Sequence, residues 1–209
     1  MPRPPLSDAE VEAFRERLCR IATRRFAEQG YAGVTLRGLA EELGCSPTTP
    51  YRYFRGKDEI FAAVRAGALG RLADASLRAA APHRDPLERL RAAGQAYLDF
   101  ARREPSAYRI AFELAQPVAS DHVELAVQRR RAWQVLRDAV GYALQVGAIH
   151  GDADEIAHVL WAGLHGLVTL HLAGQLEMLP FESLVDPMLD SLARGAGAEA
   201  KAKEERAVS

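Results

Sequence analysis

Cysteine is nearly absent from this sequence, and so is any excess of charge of one sign. Cys19 and Cys45 are the only two cysteines in 209 residues. They lie too far apart for a CxxC pair and come with no secretory signal, so they read as reduced thiols rather than as a disulfide framework, and a cytoplasmic address is expected. Met1 to Ser7 is proline-rich without an apolar h-region, and no apolar run approaches the roughly 18 residues of a membrane span, so neither export nor a membrane partner is expected. Twenty-seven basic residues against 28 acidic ones give a formal net charge of -1 and a pI near 6.6. That balance excludes a protein that coats nucleic acid nonspecifically; any DNA binding needs a local patch. Catalytic signatures are missing as well: there is no GxSxG, no HExxH and no phosphate-cradling glycine loop, so no enzyme is expected. Strand-like alternation and internal repeats are also lacking.

What the sequence does contain is helical periodicity from end to end. Val11, Phe14, Leu18, Ile21, Ala22 and Phe26 form an apolar stripe behind a Ser7/Glu10 capping box, and Gly30 ends that helix. Between Arg15 and Arg25, five arginines (15, 17, 20, 24 and 25) stand against the single acid Glu16, and Arg17, Arg20 and Arg24 fall off the stripe, where they can meet phosphates. Lys57-Asp58-Glu59 opens a long helix to about Ala80, its acids in the first turn where the macrodipole favours them. Asp85-Pro86-Leu87-Glu88 opens another, over 86–103, and Pro105 a shorter one that ends near Gln116-Pro117. Asp121 is placed to cap a helix stopping near Gly147. Asp152 and Glu155 open one that Leu179-Pro180 breaks, and a final helix carries a kink at Pro187. The expected fold is all-α, with about nine helices. Its expected domains are a head over 1–56, a body over 57–195 and a disordered tail over 196–209.

The most informative stretch is 35–54, which reads as two short helices joined by a tight turn. Thr35 caps the first and Gly44 stops it, while Leu36, Leu39, Ala40 and Leu43 give it one apolar face. Ser46 is placed to cap the second, Pro47 fits its first position, and Thr48, Thr49, Tyr51, Arg52 and Tyr53 crowd hydrogen-bonding groups onto it. A helix-turn-helix sets its second helix in the major groove, where threonines reach base edges or thymine methyls and arginine donates to guanine or phosphate. Thr35 and Lys57, each at a helix N-terminus, can hold phosphates. The alternative for the tyrosines is that one of them packs into the core of the head, and Phe54 reads as core. Pro50 removes a backbone donor near the start of the second helix, so its first turn is expected to be irregular.

The run Ala27-Glu28-Gln29-Gly30-Tyr31, then Val34-Thr35-Leu36, Leu39-Ala40, Leu43-Gly44, Ser46, Tyr51-Arg52-Tyr53-Phe54 and Lys57-Asp58-Glu59 resembles the N-terminal domain of TetR-family transcriptional regulators. The resemblance covers residues 10 to 65. It implies a three-helix DNA-binding head, a helical effector-binding and dimerising body and, most often, repression relieved by a small molecule. By position it makes Thr35, Ser46, Thr48, Thr49, Tyr51, Arg52, Tyr53 and Lys57 the DNA-facing residues, and Arg37 is expected to join them. Pro47 and Thr48 depart from the common basic and small residues, and Pro50 from the usual aliphatic. In the body, Trp161-Ala162-Gly163-Leu164-His165-Gly166 is similar to a TetR subgroup with a Trp-His-Gly signature.

Effector candidates are the aromatic and isolated polar groups of the middle helices: Tyr97, Phe100, Tyr108, Phe112, Trp133, Trp161 and His165, each with plain core packing as its alternative. Gly163 and Gly166 allow close helix approach, which makes the last two helices the choice for a homodimer seam. A two-fold dimer sets its reading elements one DNA turn apart and so expects a palindromic double-stranded operator. The reading is a ligand-responsive repressor released by a small apolar or aromatic effector, with no cofactor and no metal. Two rival readings are a metal-responsive regulator, from Asp154 and His158 at i and i+4 with His165 too far along the helix to share an ion, and an effector-free architectural DNA-binding protein.

Overall fold

A computed structural model describes residues 7–113, 122–176 and 180–191, together with Gly195. The regular structure among the described residues is all helix, with no strand, as expected. Eight α-helices are present among them rather than about nine, because the stretch after Gly44 does not form an α-helix.

Most helix starts follow from side chains within four residues. In α1 (Asp8–Gly33), Ser7 and Glu10 form the capping box, with Ser7 N donating to the glutamate at 2.8 Å. Gly30 adopts φ +67°, and the chain leaves the regular helix there. Thr35 caps α2 (Leu36–Leu43) by accepting from Gly38 N at 3.1 Å, and Gly44 closes it in the left-handed region at φ +69°. Next come α3 (Lys57–Ala80) and α4 (Pro86–Arg103), the latter capped by Asp85 accepting from Leu87 N and Glu88 N, both at 2.9 Å. A single α turn, α5 (Pro105–Tyr108), widens into a π turn over Arg109–Glu113. The helices α6 (Val123–Gln145) and α7 (Ala153–Leu172) follow, α7 capped by Asp152. The last, α8, spans 181–191 and continues through Pro187.

Two expectations about ends need comment. The helix α7, expected over about 153 to 175, stops at Leu172, ahead of Leu179-Pro180, because Gly174 turns left-handed at φ +68° and lets Gln175 N bond back to Leu170 O at 2.9 Å. Asp121, the expected cap of α6, lies outside the described residues, as do the end of the segment begun at Pro105 and the tail.

The chain forms two compact units. The first comprises Met1–Leu69 with Ser106–Arg129, the second Gly70–Pro105 with Arg130–Ser209. The core of the first is Leu18, Ala22, Phe26, Leu39, Phe54, Ile60 and Phe61, joined by Ile110 of the π turn. Arg65 Nη2 donates to Ala111 O at 3.1 Å and fastens that turn to α3. Phe26 meets the edge of Phe61 at 4.9 Å, and Tyr31 meets it at 5.2 Å. In the second unit, Leu90, Ala139, Val140, Ala143, Ile149, Ala157 and Leu160 pack α4, α6 and α7 together. Gly94 brings α4 close to its neighbours there: a Cβ at this position would lie 2.7 Å from Leu189 Cδ2 and 3.4 Å from Leu164 Cδ1.

Candidate nucleic-acid interface and effector residues

Residues 46–54 hold a single 3-10 turn, Pro50–Arg52, where the sequence predicts a second short helix. Proline explains the change. Pro50 has no N–H to return to the Ser46 carbonyl, so an α-helical ladder starting at Pro47 would lose its first bond, while Pro47 at a first helical position costs none. At the first position of a 3-10 turn the missing donor costs nothing, and the Pro50 carbonyl accepts from both Tyr53 N and Phe54 N at 3.0 Å. The Pro50 ring is itself buried, so it fills the place of an aliphatic side chain. Ser46 does not cap: its hydroxyl pairs with that of Thr48 at 3.0 Å, while its carbonyl accepts from Thr49 N at 2.9 Å. The result leaves Ser46, Thr48, Tyr51 and Arg52 exposed and Thr49 half-buried.

The two tyrosines separate into two roles. Tyr51 is 60% exposed. Tyr53 stacks on Phe14 of α1, with centroids 4.1 Å apart and planes 22° from parallel. Beside it, Arg15 Nη1 donates to Tyr53 O at 2.6 Å and its guanidinium lies 4.2 Å from the Phe54 centroid. From the other side, Glu59 of α3 accepts from Arg55 N at 2.6 Å. Burial alone would raise the Glu59 pKa, but the bonds from Arg55 and the charges of Arg55 and Arg15 outweigh it and hold the carboxyl below its ordinary range. Sequence reasoning grouped Arg15 with the basic patch and Phe14 with the core stripe. Nothing in their local spacing points to a partner 38 residues away.

Other expected contacts are partly engaged within the protein. Lys57 Nζ donates to Tyr31 O at 3.0 Å and sits 4.2 Å from that ring's centroid, so its ammonium ties the end of α1 to the start of α3. Arg24 and Arg25 both pair with Glu42 of α2, Arg24 while remaining exposed. Arg37 is exposed and pairs with Glu41 at 3.1 Å in the weak i, i+4 manner. Among the described residues no ion pair engages Arg17, Arg20 or Arg52, and all three are exposed. Burial pushes the Cys19 thiol up to about 11 against the opposing charge of Arg15, so it stays neutral.

Of the seven effector candidates, Tyr108 and Phe112 lie in the first unit, with rings 5.0 Å apart and Tyr108 fully buried. The other five lie in the second. There Tyr97 Oη and His165 Nδ1 are 3.2 Å apart, Trp161 stands 5.6 Å from His165, and Trp133 stands 6.5 Å from Trp161. Phe100 borders a cleft of about 450 Å³ that Arg71, Asp74, Arg78 and Arg103 also line. A second cleft of about 350 Å³ is lined by Leu77, Val135, Ala139 and Tyr142 with Arg89 and Arg131. The Asp154 carboxylate is bound by Arg137 at 2.6 Å, which holds its pKa below the ordinary range, and His158 Nδ1 lies 2.6 Å from Asp154 O with its ring against Trp133. No group of three potential metal ligands occurs among the described residues.

Residues 20–64 match the tetR family of bacterial regulatory proteins, and residues 90–195, about half the chain, match the tetracyclin repressor-like C-terminal domain. The chain belongs to the TetR family. It is 30% identical over 122 residues to the transcriptional activator FasR of Mycolicibacterium smegmatis, a stretch covering 57% of this chain and 53% of that one. Similarity to the regulator BetI of Brucella canis is 28% over 171 residues, 79% of this chain and 83% of the relative. A solved structure from Rhodococcus sp. RHA1, of a protein of unknown function, superposes with a TM-score of 0.77 at 27% identity, covering 94% of this chain and 99% of that one. This TetR-family chain is therefore a DNA-binding transcriptional regulator and not an enzyme. No helix among its described residues is long and apolar enough to cross a membrane. The N-terminal match takes in the whole 46–54 segment but begins after Phe14 and Arg15.

Because the Glu59 pKa is depressed on folding, its contribution to stability is present above the ordinary glutamate value of 4.5 and is lost as pH falls through the folded value. Glu59→Gln should accordingly lower the thermal midpoint at neutral pH, and the gap from wild type should close below about pH 4.5. Circular-dichroism melts across a pH series check this.

Proposed function

We propose that this regulator is a ligand-responsive repressor that binds a palindromic operator as a dimer and is released by a small apolar or aromatic effector. The observation that carries the DNA half is the outward group of Thr48, Tyr51 and Arg52 on a short, firmly seated turn. A tyrosine that keeps a rigid amphipathic ring in water beside a threonine and an arginine is suited to base edges and sugar-phosphate. Thr35, Ser46 and Thr49, with Arg37 and Lys57 at the flanks, supply the remaining contacts, and Tyr53 contributes from its seat on Phe14. Arg17 and Arg20 add the local positive charge that the near-neutral chain needs.

For the dimer, the support is a face of α7. Val159 is 64% exposed and Leu170 45%, with Ala162, Gly163 and Gly166 between them on the same side. A Cβ added at Gly166 would meet nothing within 4 Å. The glycine therefore has no packing reason inside its own chain, and close approach of a second helix supplies one. Two copies joined there present two reading turns to a two-fold operator.

The effector reading rests on Tyr97, Phe100, Trp133, Trp161 and His165 of the second unit and Tyr108 and Phe112 of the first: large rings with few polar groups, suited to an apolar or aromatic molecule. The helix α3 begins in one unit and ends in the other, so an effector that favours one arrangement of that helix weakens DNA binding by the coupling free energy, typically ~1–3 kcal/mol. Repression is what membership most often implies; the relative FasR is named an activator, and a reporter driven by the selected operator distinguishes the two signs.

Selection from random duplex DNA by the full chain should enrich a palindrome, and Tyr51→Ala or Arg52→Ala should abolish specific binding while leaving the dimer intact; failure to enrich any motif sinks the reading. Gly166→Leu should keep the helical circular-dichroism spectrum of a folded chain yet shift sedimentation toward monomer and make melting independent of protein concentration. With only two tryptophans in the chain, Trp133 and Trp161, a bound effector should change the intrinsic fluorescence, and Trp161→Phe should remove most of that change.

A further inference from the structure

The segment that carries Tyr51 and Arg52 holds four backbone bonds of its own, from Thr49, Arg52, Tyr53 and Phe54, but no continuous α-helical ladder. An α-helical reader keeps its side chains in register through a ladder of backbone bonds, each residue's N–H tied four residues back. Here Pro50 leaves one 3-10 turn in its place. Further anchoring comes from outside the segment: from two consecutive residues of α1, and from Glu59 of α3.

We propose that Arg15, together with Phe14, is a positioning residue for operator recognition: it sets the pose of Tyr51 and Arg52 without touching DNA. The inference rests on the reading of that turn as the base-reading surface. Its geometric basis is the pair of anchors directly after the readers. Arg15 Nη1 donates to the Tyr53 carbonyl at 2.6 Å, at the end of the turn where a helix leaves its carbonyls without partners. The same guanidinium lies 4.2 Å from the Phe54 ring centroid, and the Phe14 ring holds Tyr53 at 4.1 Å. A planar guanidinium can bond and stack at once, which a lysine ammonium cannot reproduce. On the far side, Arg55 N is held by Glu59 at 2.6 Å. The carbonyl and ring of Tyr53, the ring of Phe54 and the N–H of Arg55 are thus all fixed to α1 or α3, and Tyr51 and Arg52 project from the residues immediately before.

A positioning role has a signature distinct from that of a phosphate contact. Base recognition needs the two readers in one orientation, whereas nonspecific attraction to the duplex does not. Loss of Arg15 should therefore lower affinity for the operator and not for unrelated DNA. Loss of a phosphate contact would instead weaken both and reduce the salt slope by about 1.

The experiment uses the full chain and the sequence it selects from random DNA. Wild type, Arg15→Met, Arg15→Lys and Phe14→Leu are titrated against the operator and an unrelated duplex across a salt series, and each is melted. Arg15→Met, which keeps the apolar stem, should bind the operator at least tenfold more weakly, with unchanged binding to unrelated DNA and an unchanged salt slope. Phe14→Leu should show the same pattern, and Arg15→Lys should fall between Arg15→Met and wild type. Equal operator affinity in wild type and Arg15→Met overturns the proposal. A salt slope reduced by about 1 overturns it in favour of a phosphate contact. Parallel loss on both DNAs with a lowered melting temperature, in Arg15→Met and Phe14→Leu alike, overturns it in favour of a role in folding alone. If wild type itself selects no sequence, the reading of the turn fails and takes this inference with it, an outcome visible before any variant is made.

Discussion

The bond from the Arg15 guanidinium to the Tyr53 carbonyl, with the Phe14–Tyr53 stack beside it, is the constraint that ties the segment proposed to face DNA to α1. Its importance comes from what is missing beside it. With Pro50 in it, the segment proposed to read DNA has no continuous helical ladder, only a short turn with bonds to the carbonyls of Ser46, Thr49 and Pro50. The buried Pro50 ring seats that turn from below, Arg15 and Phe14 hold its exit from α1, and Glu59 holds the next N–H from α3. Rigidity that other helix-turn-helix elements build from backbone bonds is supplied here in part by side chains of neighbouring helices.

The same head illustrates how a near-neutral protein keeps a basic surface. Glu42 takes up Arg24 and Arg25, and Tyr31 takes up Lys57, so these cations act as braces among α1, α2 and α3. Arg17, Arg20 and Arg52 remain turned to solvent. In the second unit the ion pairs serve register. Arg91 reaches both Asp186 and Asp190 one turn apart on α8, and Arg131 reaches Asp74. Pairs this exposed are worth about 0–1 kcal/mol each. They select where helices lie against each other, while the apolar groups of α4, α6 and α7 supply the stabilisation.

Legibility in the sequence followed the distance between partners. The caps at Ser7, Thr35, Asp85 and Asp152 and the stop at Gly44 were all readable, because donor and acceptor lie within a few residues and the residue types that satisfy helix ends are few. Ser46 looked like one more such cap, and its hydroxyl went to Thr48 instead, since the helix it would have capped does not form. Gly174, a local signal as plain as Gly44, ended α7 ahead of the proline that drew attention. Arg24 and Arg15 were readable only as positive charges, because Glu42 and Tyr53 are 18 and 38 residues away.

The sequence alone therefore determined the helical class, most of the helix boundaries and the family, because each is written in periodicity, capping chemistry or motif spacing that a chain carries locally. It also identified Pro50 as a disturbance. Only the tertiary structure decided what that disturbance means: that the second helix shortens to a turn, that Tyr53 turns inward while Tyr51 stays out, and that Phe14 and Arg15 hold the turn in place. The physical reason is that each of these depends on which side chains meet across the core, and no local pattern encodes a contact made between residues 38 positions apart.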